Sequence, residues 1–218
     1  PIPTAGLFFA GGEGNDALIL AGGETFSTVT HTFTSNSGGC VDISDQGTIS
    51  YTGLDPITDN LDADQRVLEF SGLNETITVS EAGGFTTVDS DVGGETLTFV
   101  NPQSSLTLRG GGGDDVFEVN SLPNIAIVTI DGQEGHDTFN VRGTPAKPLP
   151  WLMTELRGGD GDDVFNFSSD APGNTGHLEG LGDAVWIDVD GGDGLNRMVV
   201  SDAGGIQTAA SVFVQNNY

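Results

Sequence analysis

Short stretches in which apolar and polar residues alternate dominate the hydrophobic pattern of this chain. Val, Ile, Leu, Thr and Phe are frequent in the segments 67–70, 75–79, 96–100 and 125–130, which are bounded by Gly, Asn, Asp and Pro. Such alternation is typical of β-strands that bury one face. Helical periodicity is almost absent, and the pattern allows a single helical turn only at 60–66. The pattern therefore predicts an all-β protein.

A six-residue glycine-rich signature occurs five times in the chain and is its most informative feature. The copies precede alternating apolar runs, and the later ones also follow an apolar–polar step, so the pattern predicts a strand, a tight acidic turn and a second strand. Glycine adopts the backbone conformations that tight turns require, and carboxylates and carbonyls are the oxygen ligands that calcium takes. Each turn is therefore a candidate calcium half-site. The copies occupy residues 11–16, 110–115, 132–137, 158–163 and 191–196.

The spacing of the later copies predicts how the strands are arranged. From residue 110 onward, successive copies begin 22, 26 and 33 residues apart, and periods in this range are typical of solenoids, in which each coil stacks on the previous one. The unequal intervals predict loops of different length away from the turns, at 142–153 and 168–184. We expect an all-β fold, a parallel β-solenoid (β-helix or β-roll-like) with stacked Gly-Asp calcium turns. A β-sandwich is the alternative, because short strands with frequent turns fit it too.

The signature is missing between its first and second copies, although strand patterns continue there. Between residues 67 and 108 they recur about every nine or ten residues, and we interpret them as further coils joined by ordinary turns such as 81–84 and 91–94. The first 60 residues are less regular. We expect residues 1–60 to form an irregular N-terminal β coil or cap and residues 61–218 to form a β-solenoid with calcium-type turns, together one continuous domain.

The signature resembles the nonapeptide Gly-Gly-x-Gly-x-Asp-x-apolar-x of the RTX (repeats-in-toxin) calcium-binding β-roll. In that family two nonapeptides make one coil, whereas the copies in this chain never follow one another directly. Their arrangement is similar to that of very large secreted bacterial proteins that combine such turns with β-helix coils. The resemblance covers about two thirds of the chain. It implies calcium as the bound ion and a secreted, extracellular or cell-surface protein.

The turns supply the candidate ligands. Calcium takes about six to eight oxygens, which two turns about 4.8 Å apart can offer together. We expect ions between the 110 and 132 turns and between the 132 and 158 turns, with the 158 and 191 turns as a third and weaker candidate because an Asn replaces the last Asp. The alternative is that the turns stack without metal. The candidate metal ligands are Asn15, Asp16, Gly111, Gly113, Asp114, Asp115, Glu134, Asp137, Asp160, Asp162, Asp163, Asp193 and Asn196.

The charge composition narrows the classes of partner. The chain has 32 acidic residues against 6 Lys and Arg, for a net charge of -26. This charge argues against binding to nucleic acid or to anionic membranes, which need basic patches, and bound divalent cations would relieve its self-repulsion. The alternative is that the acidity only keeps a surface protein soluble. No apolar run is long enough to predict a transmembrane helix.

Enzymatic motifs are missing from the sequence. It has no nucleophile elbow and no phosphate-binding loop, and its three histidines lack the spacing of a zinc site. We expect a non-enzymatic, extracellular, calcium-binding structural unit of a surface layer, matrix fibre, filament or adhesin. The alternative is a carbohydrate-binding or carbohydrate-active β-helix of the polysaccharide lyase type. Trp151 and Trp186 are candidate sugar platforms for it, although such residues more often pack in a core or loop.

The ends of the chain suggest its partners. Residues 6–9 and 210–218 have apolar strand patterns, and terminal coils expose unpaired backbone groups unless they are capped. We expect end-to-end association with identical subunits or adjoining domains through terminal strands. The alternative is that the termini fold back over their own coils. Polysaccharide is a further candidate partner.

Overall fold

The protein is all-β, as the hydrophobic pattern predicts. A computed structural model places the described residues in 16 strands, and no α-helix occurs among them. None of these residues therefore forms a helix long and apolar enough to cross a membrane. The structure describes residues 2–3, 5–35, 37–92, 95–145, 152–182 and 186–205.

All 16 strands belong to one mostly parallel sheet that runs from β1 at one end to β16 at the other. The strands are β1 (Leu7–Ala10), β2 (Leu18–Ser35), β3 (Gly38–Ile43), β4 (Gly47–Thr52), β5 (Ile57–Glu69), β6 (Thr76–Ala82), β7 (Phe85–Ser90), β8 (Leu97–Val100), β9 (Ser105–Gly112), β10 (Val116–Val119), β11 (Ile127–Glu134), β12 (Thr138–Val141), β13 (Met153–Asp160), β14 (Val164–Phe167), β15 (Trp186–Asp190) and β16 (Arg197–Val200).

Two ladders of parallel strands flank a column of glycine turns. The strands before the turns pair in the order β5, β9, β11, β13, β15, and those after the turns pair in the order β6, β10, β12, β14, β16. Gln133 lies opposite both Gly111 and Gly159, and Asp160 bridges to Asp193. Successive turns from residue 110 onward therefore lie side by side, as predicted.

Two antiparallel meanders interrupt the parallel pairing in the first half of the chain. β2, β3 and β4 form an antiparallel meander, and so do β6, β7 and β8. The segment 81–84 is a hairpin, because Gly83 and Gly84 have φ values of 63° and 89°, as in the two-residue turns that reverse a strand. The interpretation of 67–108 as further coils is therefore wrong for β7 and its two neighbours β6 and β8, whereas β5 and β9 pair in parallel as coils would. Residues 93–94 of the other turn lie outside the described residues.

Residues 60–66, where the pattern allows a helical turn, lie instead within β5. This strand alternates buried and more exposed residues along its length and pairs in parallel with β2. Ladder formation on both sides of the strand overrides the weak helical preference of this short segment.

The core lies between the two ladders and fixes their register. Phe117, Phe139 and Phe165 stack on one another with ring centroids 5.0 and 4.6 Å apart, and each such aromatic pair adds about 0.5–1.5 kcal/mol beyond burial. A shift of one residue in strand register would turn these stacked phenylalanine rings away from the core. The other ladder contributes Leu108, Ile130 and Leu156 to the same buried cluster.

A buried polar cluster lies in the first half of the molecule. His31 Nε2 lies 2.9 Å from Asp59 Oδ2, and the Arg66 guanidinium pairs with the same carboxylate and lies 5.1 Å from the centre of the Phe99 ring. Burial lowers the pKa of His31. Burial alone would raise the pKa of Asp59, but the His31 hydrogen bond and the Arg66 charge lower it. The charge of this carboxylate is thus compensated inside the protein.

A candidate metal centre along the glycine turns

Neighbouring turns approach so closely that side chains are excluded between them. A Cβ atom at Gly135 would overlap the carbonyl oxygen of Gly113, and one at Gly161 would overlap that of Gly135. The same holds for Gly159 and the carbonyl oxygen of Gln133. Gly135, Gly159 and Gly161 therefore have no room for a side chain, while the second position of the third turn holds Gln133 at a φ of 76°. The carbonyl oxygens at the second and fourth positions face the following turn.

From residue 110 onward, the residue at the sixth position of each turn accepts a hydrogen bond from the turn before it. Asp137 Oδ1 accepts from the Asp115 N–H, Asp163 Oδ1 from the Asp137 N–H and Asn196 Oδ1 from the Asp163 N–H, each at 2.8 Å. Asp115 Oδ1 accepts from the Glu75 N–H at 2.9 Å. These bonds turn the side chains of Asp115, Asp137 and Asp163 inward, where they are fully buried.

The second oxygen of these three carboxyl groups is buried without a hydrogen-bond partner. These atoms are Oδ2 of Asp115, Asp137 and Asp163. Each Oδ2 atom lies close to the position that a Cβ atom on the first glycine of the same turn would occupy. The carbonyl oxygen of the first residue in the next turn faces the same position. For example, Gly158 O would lie 2.7 Å from a Cβ at Gly132. A buried carboxylate oxygen that faces a carbonyl oxygen is unfavourable unless a proton or a cation compensates it.

Burial shifts the titration of these carboxyl groups. Burial, with the nearby charges of Asp137 and Glu75, raises the pKa of Asp115 to about 8. Burial, with the charge of Asp163, raises the pKa of Asp137 to about 6, and burial also raises the pKa of Asp163. Protons and metal ions would therefore compete for the same oxygens.

A second ladder of hydrogen bonds runs in the opposite direction through the fifth positions. Asn74 Oδ1 accepts from the Asp114 N–H at 3.0 Å, and Asp114 Oδ1 accepts from the His136 N–H at 2.9 Å. His136 Nδ1 accepts from the Asp162 N–H at 2.7 Å, which places its proton on Nε2. Asp162 Oδ1 accepts from the Leu195 N–H at 2.8 Å. Asp114 and Asp162, both predicted ligands, thus each use one oxygen to hold the neighbouring turn.

The acids at the third position form an exposed row. Glu134 lies opposite Asp160, which bridges to Asp193, and all three are exposed. Gly111 and Gly113 lie against residues 70–75, since a Cβ at either would overlap backbone of that segment. The structure therefore brings the predicted ligands from residue 111 onward into one column but turns only the sixth-position acids inward.

The first copy of the signature does not join this column. Turn 11–16 lies beside residues 52–55, where the Gly11 N–H donates to Thr52 O at 2.8 Å and the Asp55 N–H donates to Asp16 O at 2.9 Å. Asp16 is half-buried and Asn15 is exposed. The structure does not bring these two predicted ligands together with the others.

A further turn of the column, residues 70–75, is missing from the sequence prediction. Its sixth residue, Glu75, is buried, and both its oxygens have protein partners. Oε1 accepts from the Ser71 N–H at 3.2 Å and from the Ser71 hydroxyl, while Oε2 accepts from the Ser90 hydroxyl at 3.1 Å. Only Gly72, Asn74 and the acid itself resemble the signature, but the strand patterns on either side match those of the other turns.

The last turn ends the column with an amide. Asn196 Nδ2 lies over Gly191, where the preceding turns place a carboxylate oxygen. It donates to Gly192 O at 3.2 Å and to Asp193 O at 3.4 Å. The three unpartnered oxygens are thus bounded by Glu75 at one end and by Asn196 at the other.

The oxygen atoms that could bind a metal ion between neighbouring turns suit calcium better than a transition metal. Among the described residues, no three His, Cys, Asp or Glu side chains converge on one point. Each gap instead offers backbone carbonyl oxygens and one buried carboxylate oxygen, and hard cations such as calcium bind oxygen sets of this kind. Of the candidate sugar platforms, Trp186 is exposed on β15, and Trp151 lies outside the described residues.

Comparison with known proteins returned no relative. A scan against protein-family models and searches of curated proteins and of solved structures found no match for the chain.

Proposed function

We propose that this protein is an extracellular, RTX-like structural unit, a β-solenoid that calcium ions between its glycine turns stabilise. The observation that carries this proposal is the set of three buried, unpartnered Oδ2 atoms of Asp115, Asp137 and Asp163. An anionic oxygen in a fully buried position destabilises the fold unless it binds a proton or a cation. A divalent cation between the turns would neutralise it and join adjacent coils.

Each site would take its oxygens from two neighbouring turns. The earlier turn offers the carboxylate Oδ2 and its second and fourth carbonyls, and the later turn offers its first carbonyl. Three ions per chain follow, one each between the 110 and 132 turns, the 132 and 158 turns, and the 158 and 191 turns. Calcium supplies only charge and coordination in this role, and no reaction is involved.

The matching turn registers support the solenoid interpretation. Strands on both sides of the column pair in parallel with the turns in step, and the two antiparallel meanders are then insertions into the first coils. Sites built mainly from carbonyl oxygens with one carboxylate suit the high calcium concentration outside cells, where modules bind it with dissociation constants of about 10⁻⁴–10⁻³ M. The net charge of -26 is consistent with an extracellular structural role in calcium.

The decisive measurement is thermal unfolding in excess calcium and in chelator. A site saturated at 100 times its dissociation constant adds about 2.7 kcal/mol, so three sites should raise Tm by roughly 20 °C in a chain of this size. Native mass spectrometry in calcium should show three bound ions. An unchanged Tm would remove the calcium assignment.

Two matched variants test whether the calcium ions bind between the glycine turns. Asp137→Asn keeps the oxygen that accepts from Asp115 but removes the charge, and it should lower the calcium stoichiometry or affinity. Glu75→Gln changes a buried carboxylate of the same column whose oxygens already have protein partners, so it should leave the three ions in place. Equal losses of calcium in the two variants would contradict the proposed sites.

Carbohydrate binding is the second candidate function, and the exposure of Trp186 favours it. Its side chain is 64% exposed and lies in register with Met153 on the neighbouring strand, and exposed indole rings often stack on sugars. Trp186→Ala should then abolish retention on an immobilised acidic or neutral polysaccharide, while Phe85→Ala, at another exposed aromatic, should not. Lack of retention of the wild type would exclude this candidate for the polysaccharides used.

A further inference from the structure

Large exposed apolar side chains lie on the end strands of the sheet and in the turn between β15 and β16. Among the described residues, β1 pairs only with β4, β15 only with β13 and β16 only with β14. Within the described residues, each end therefore has an unpaired backbone edge beside apolar side chains, a combination that favours pairing with another strand. The predicted terminal strand at 210–218 lies outside the described residues. The exposed residues are Leu7, Phe8, Phe9 and Ile19 at one end and Trp186, Leu195 and Met198 at the other.

Each end consists of a strand, a glycine turn and a second strand, and the two turns have opposite open sides. In the column, the first carbonyl of each turn faces the turn before it, as Gly191 O faces Gly158. Gly53 O faces Gly11 in the same way. Among the turns that the structure describes, turn 11–16 is therefore the first of its stack and is open to a preceding turn, while turn 191–196 is the last and is open to a following one.

Aligning these two turns places apolar residues opposite apolar residues on the second strand. With Gly191 opposite Gly11, an offset of 180 residues, Met198 lies opposite Leu18 and Val200 lies opposite Leu20. Leu18 and Val200 already pack in part against the core, and Leu20 is buried.

The same offset matches the first strand. Ile187 and Val189, which are also partly packed against the core, lie opposite Leu7 and Phe9. These two residues pair with the buried Ile49 and Tyr51 of β4 and therefore lie on the core side of β1. All four core-facing positions of one end thus meet an apolar residue of the other.

We propose that a second copy of this chain docks at each end, with turn 191–196 of one copy stacked on turn 11–16 of the next. The parallel ladders then continue across the junction, β15 beside β1 and β16 beside the start of β2. The proposal rests on the proposed function, because only a stacked solenoid has ends that can be extended in this way. The occupant is a second copy because the two end turns have opposite open sides, so turn 191–196 of one copy can stack on turn 11–16 of another and the contact is head-to-tail and open-ended.

At this junction the inward sixth position of turn 191–196 carries an amide and not a carboxylate. Asn196 Nδ2 occupies the carboxylate position in turn 191–196 and donates to carbonyl oxygens of the same turn. Calcium therefore acts on docking through the folding of each copy. Variants at the junction should weaken association without lowering the calcium-dependent Tm, which separates the failure of this proposal from the failure of the calcium assignment.

Sedimentation velocity of the full chain in calcium, over a range of concentrations, tests the junction. The wild type should form a concentration-dependent series of oligomers, and Phe9→Asp should weaken association at least tenfold. Phe85→Asp is the matched control, because Phe85 is 44% exposed on a hairpin strand and Phe9 is 40% exposed on β1. If Phe9→Asp lowers Tm, Ile19→Asp replaces it as the junction variant.

A mixing experiment distinguishes head-to-tail docking from other contacts. Phe9→Asp disrupts the end at turn 11–16, and Met198→Asp disrupts the end at turn 191–196, so each variant alone should be monomeric. An equal mixture should form dimers and no larger oligomers, because only the two intact ends can pair. A wild type that stays monomeric at every concentration in calcium would overturn the proposal. So would a mixture without dimers, or equal weakening by Phe85→Asp.

Discussion

Glu75 and Asp115 occupy the same position in neighbouring turns, yet only Glu75 has protein partners for both its oxygens. Glu75 is one methylene longer, and hydroxyl groups of Ser71 and Ser90 lie within its reach. The first residue of its turn is Phe70, whose ring stacks on that of Phe33 in the core. Phe70 has a side chain where the later turns have a glycine, so no space is left over its Cα for a carboxylate oxygen. The shorter Asp115 instead places Oδ2 over a glycine, where no protein donor reaches it.

This difference shows that the unpartnered oxygens are a property of three turns and not of the whole column. The chain closes the column with hydroxyl groups at Glu75 and with an amide at Asn196. It therefore has the means to satisfy a buried oxygen at this position, and it does so where the column begins and ends. The three positions between them are the ones at which a cation can contribute.

The largest effect should come from filling the space over a first glycine. A Cβ at Gly158 would overlap Asp163 Oδ2 and Gly191 O, whereas a Cβ at Gly72 has no atom within 4 Å. Gly158→Ala should therefore destabilise the protein by about 3 kcal/mol or more and abolish one calcium site, as measured by urea unfolding and calcium titration. Gly72→Ala, in the closed turn, should change stability by less than about 1 kcal/mol. Similar losses in the two variants would refute the comparison.

The pH dependence of the metal-free protein should be the next largest effect. The pKa values of about 8 for Asp115 and about 6 for Asp137 lie above the unfolded value of about 3.9. The stabilisation that these two carboxyl groups give by binding protons more tightly in the folded state is complete below about pH 4. It is lost as the pH rises through about 6 and then 8. In chelator, Tm should therefore fall between about pH 5 and pH 8.

Calcium should reverse this trend, because it binds the deprotonated carboxylates. The difference in Tm between calcium and chelator should then grow with pH. Asp115→Asn should flatten the curve in chelator, while Glu75→Gln should preserve it. A metal-free Tm that rises with pH over this range would contradict the assignment of the buried oxygens.

The smallest effect should come from the ladder at the fifth positions. His136→Ala removes the acceptor for the Asp162 N–H, and because this edge is exposed, water replaces it at a cost of about 1 kcal/mol or less. His136→Asn offers an acceptor at the same place and should recover part of the loss in urea unfolding. Calcium affinity should change little in both. A loss of calcium in His136→Ala as large as that in Asp137→Asn would contradict the separate roles of the two ladders.

Local patterns in the sequence are sufficient to predict the strand class and the contact between turns. Alternation predicts the all-β fold, and the repeated signature from residue 110 onward predicts turns that lie side by side. The prediction of coil turns is wrong for the strands from β6 to β8, because Gly83-Gly84 can belong either to a coil turn or to a hairpin. Only the pairing partner of each strand decides between them, and that partner is set by tertiary contacts.

The candidate site shows the same limit. Asp115, Asp137 and Asp163 lie in one column because the signature itself fixes their position in the turn. The sequence does not predict that Asp114 and Asp162 accept hydrogen bonds from a neighbouring turn, because this depends on which turn lies next to them. For the same reason, it does not predict that Asp16 lies apart from the column. Glu75 was missed because its turn retains the geometry of the signature without its glycines.

The two opposed hydrogen-bond ladders also determine how the column responds to force. A load along the stacking axis pulls each turn from its neighbour, so the contacts act in series and the weakest one yields first. Leu195 and Asn196 place an apolar side chain and a neutral amide in the last turn, where the turns 110–115, 132–137 and 158–163 carry acids or His136. We expect mechanical rupture to begin there and to proceed inward one coil at a time, so that a stretched fibre of such units would lengthen in steps and recoil when the tension is released.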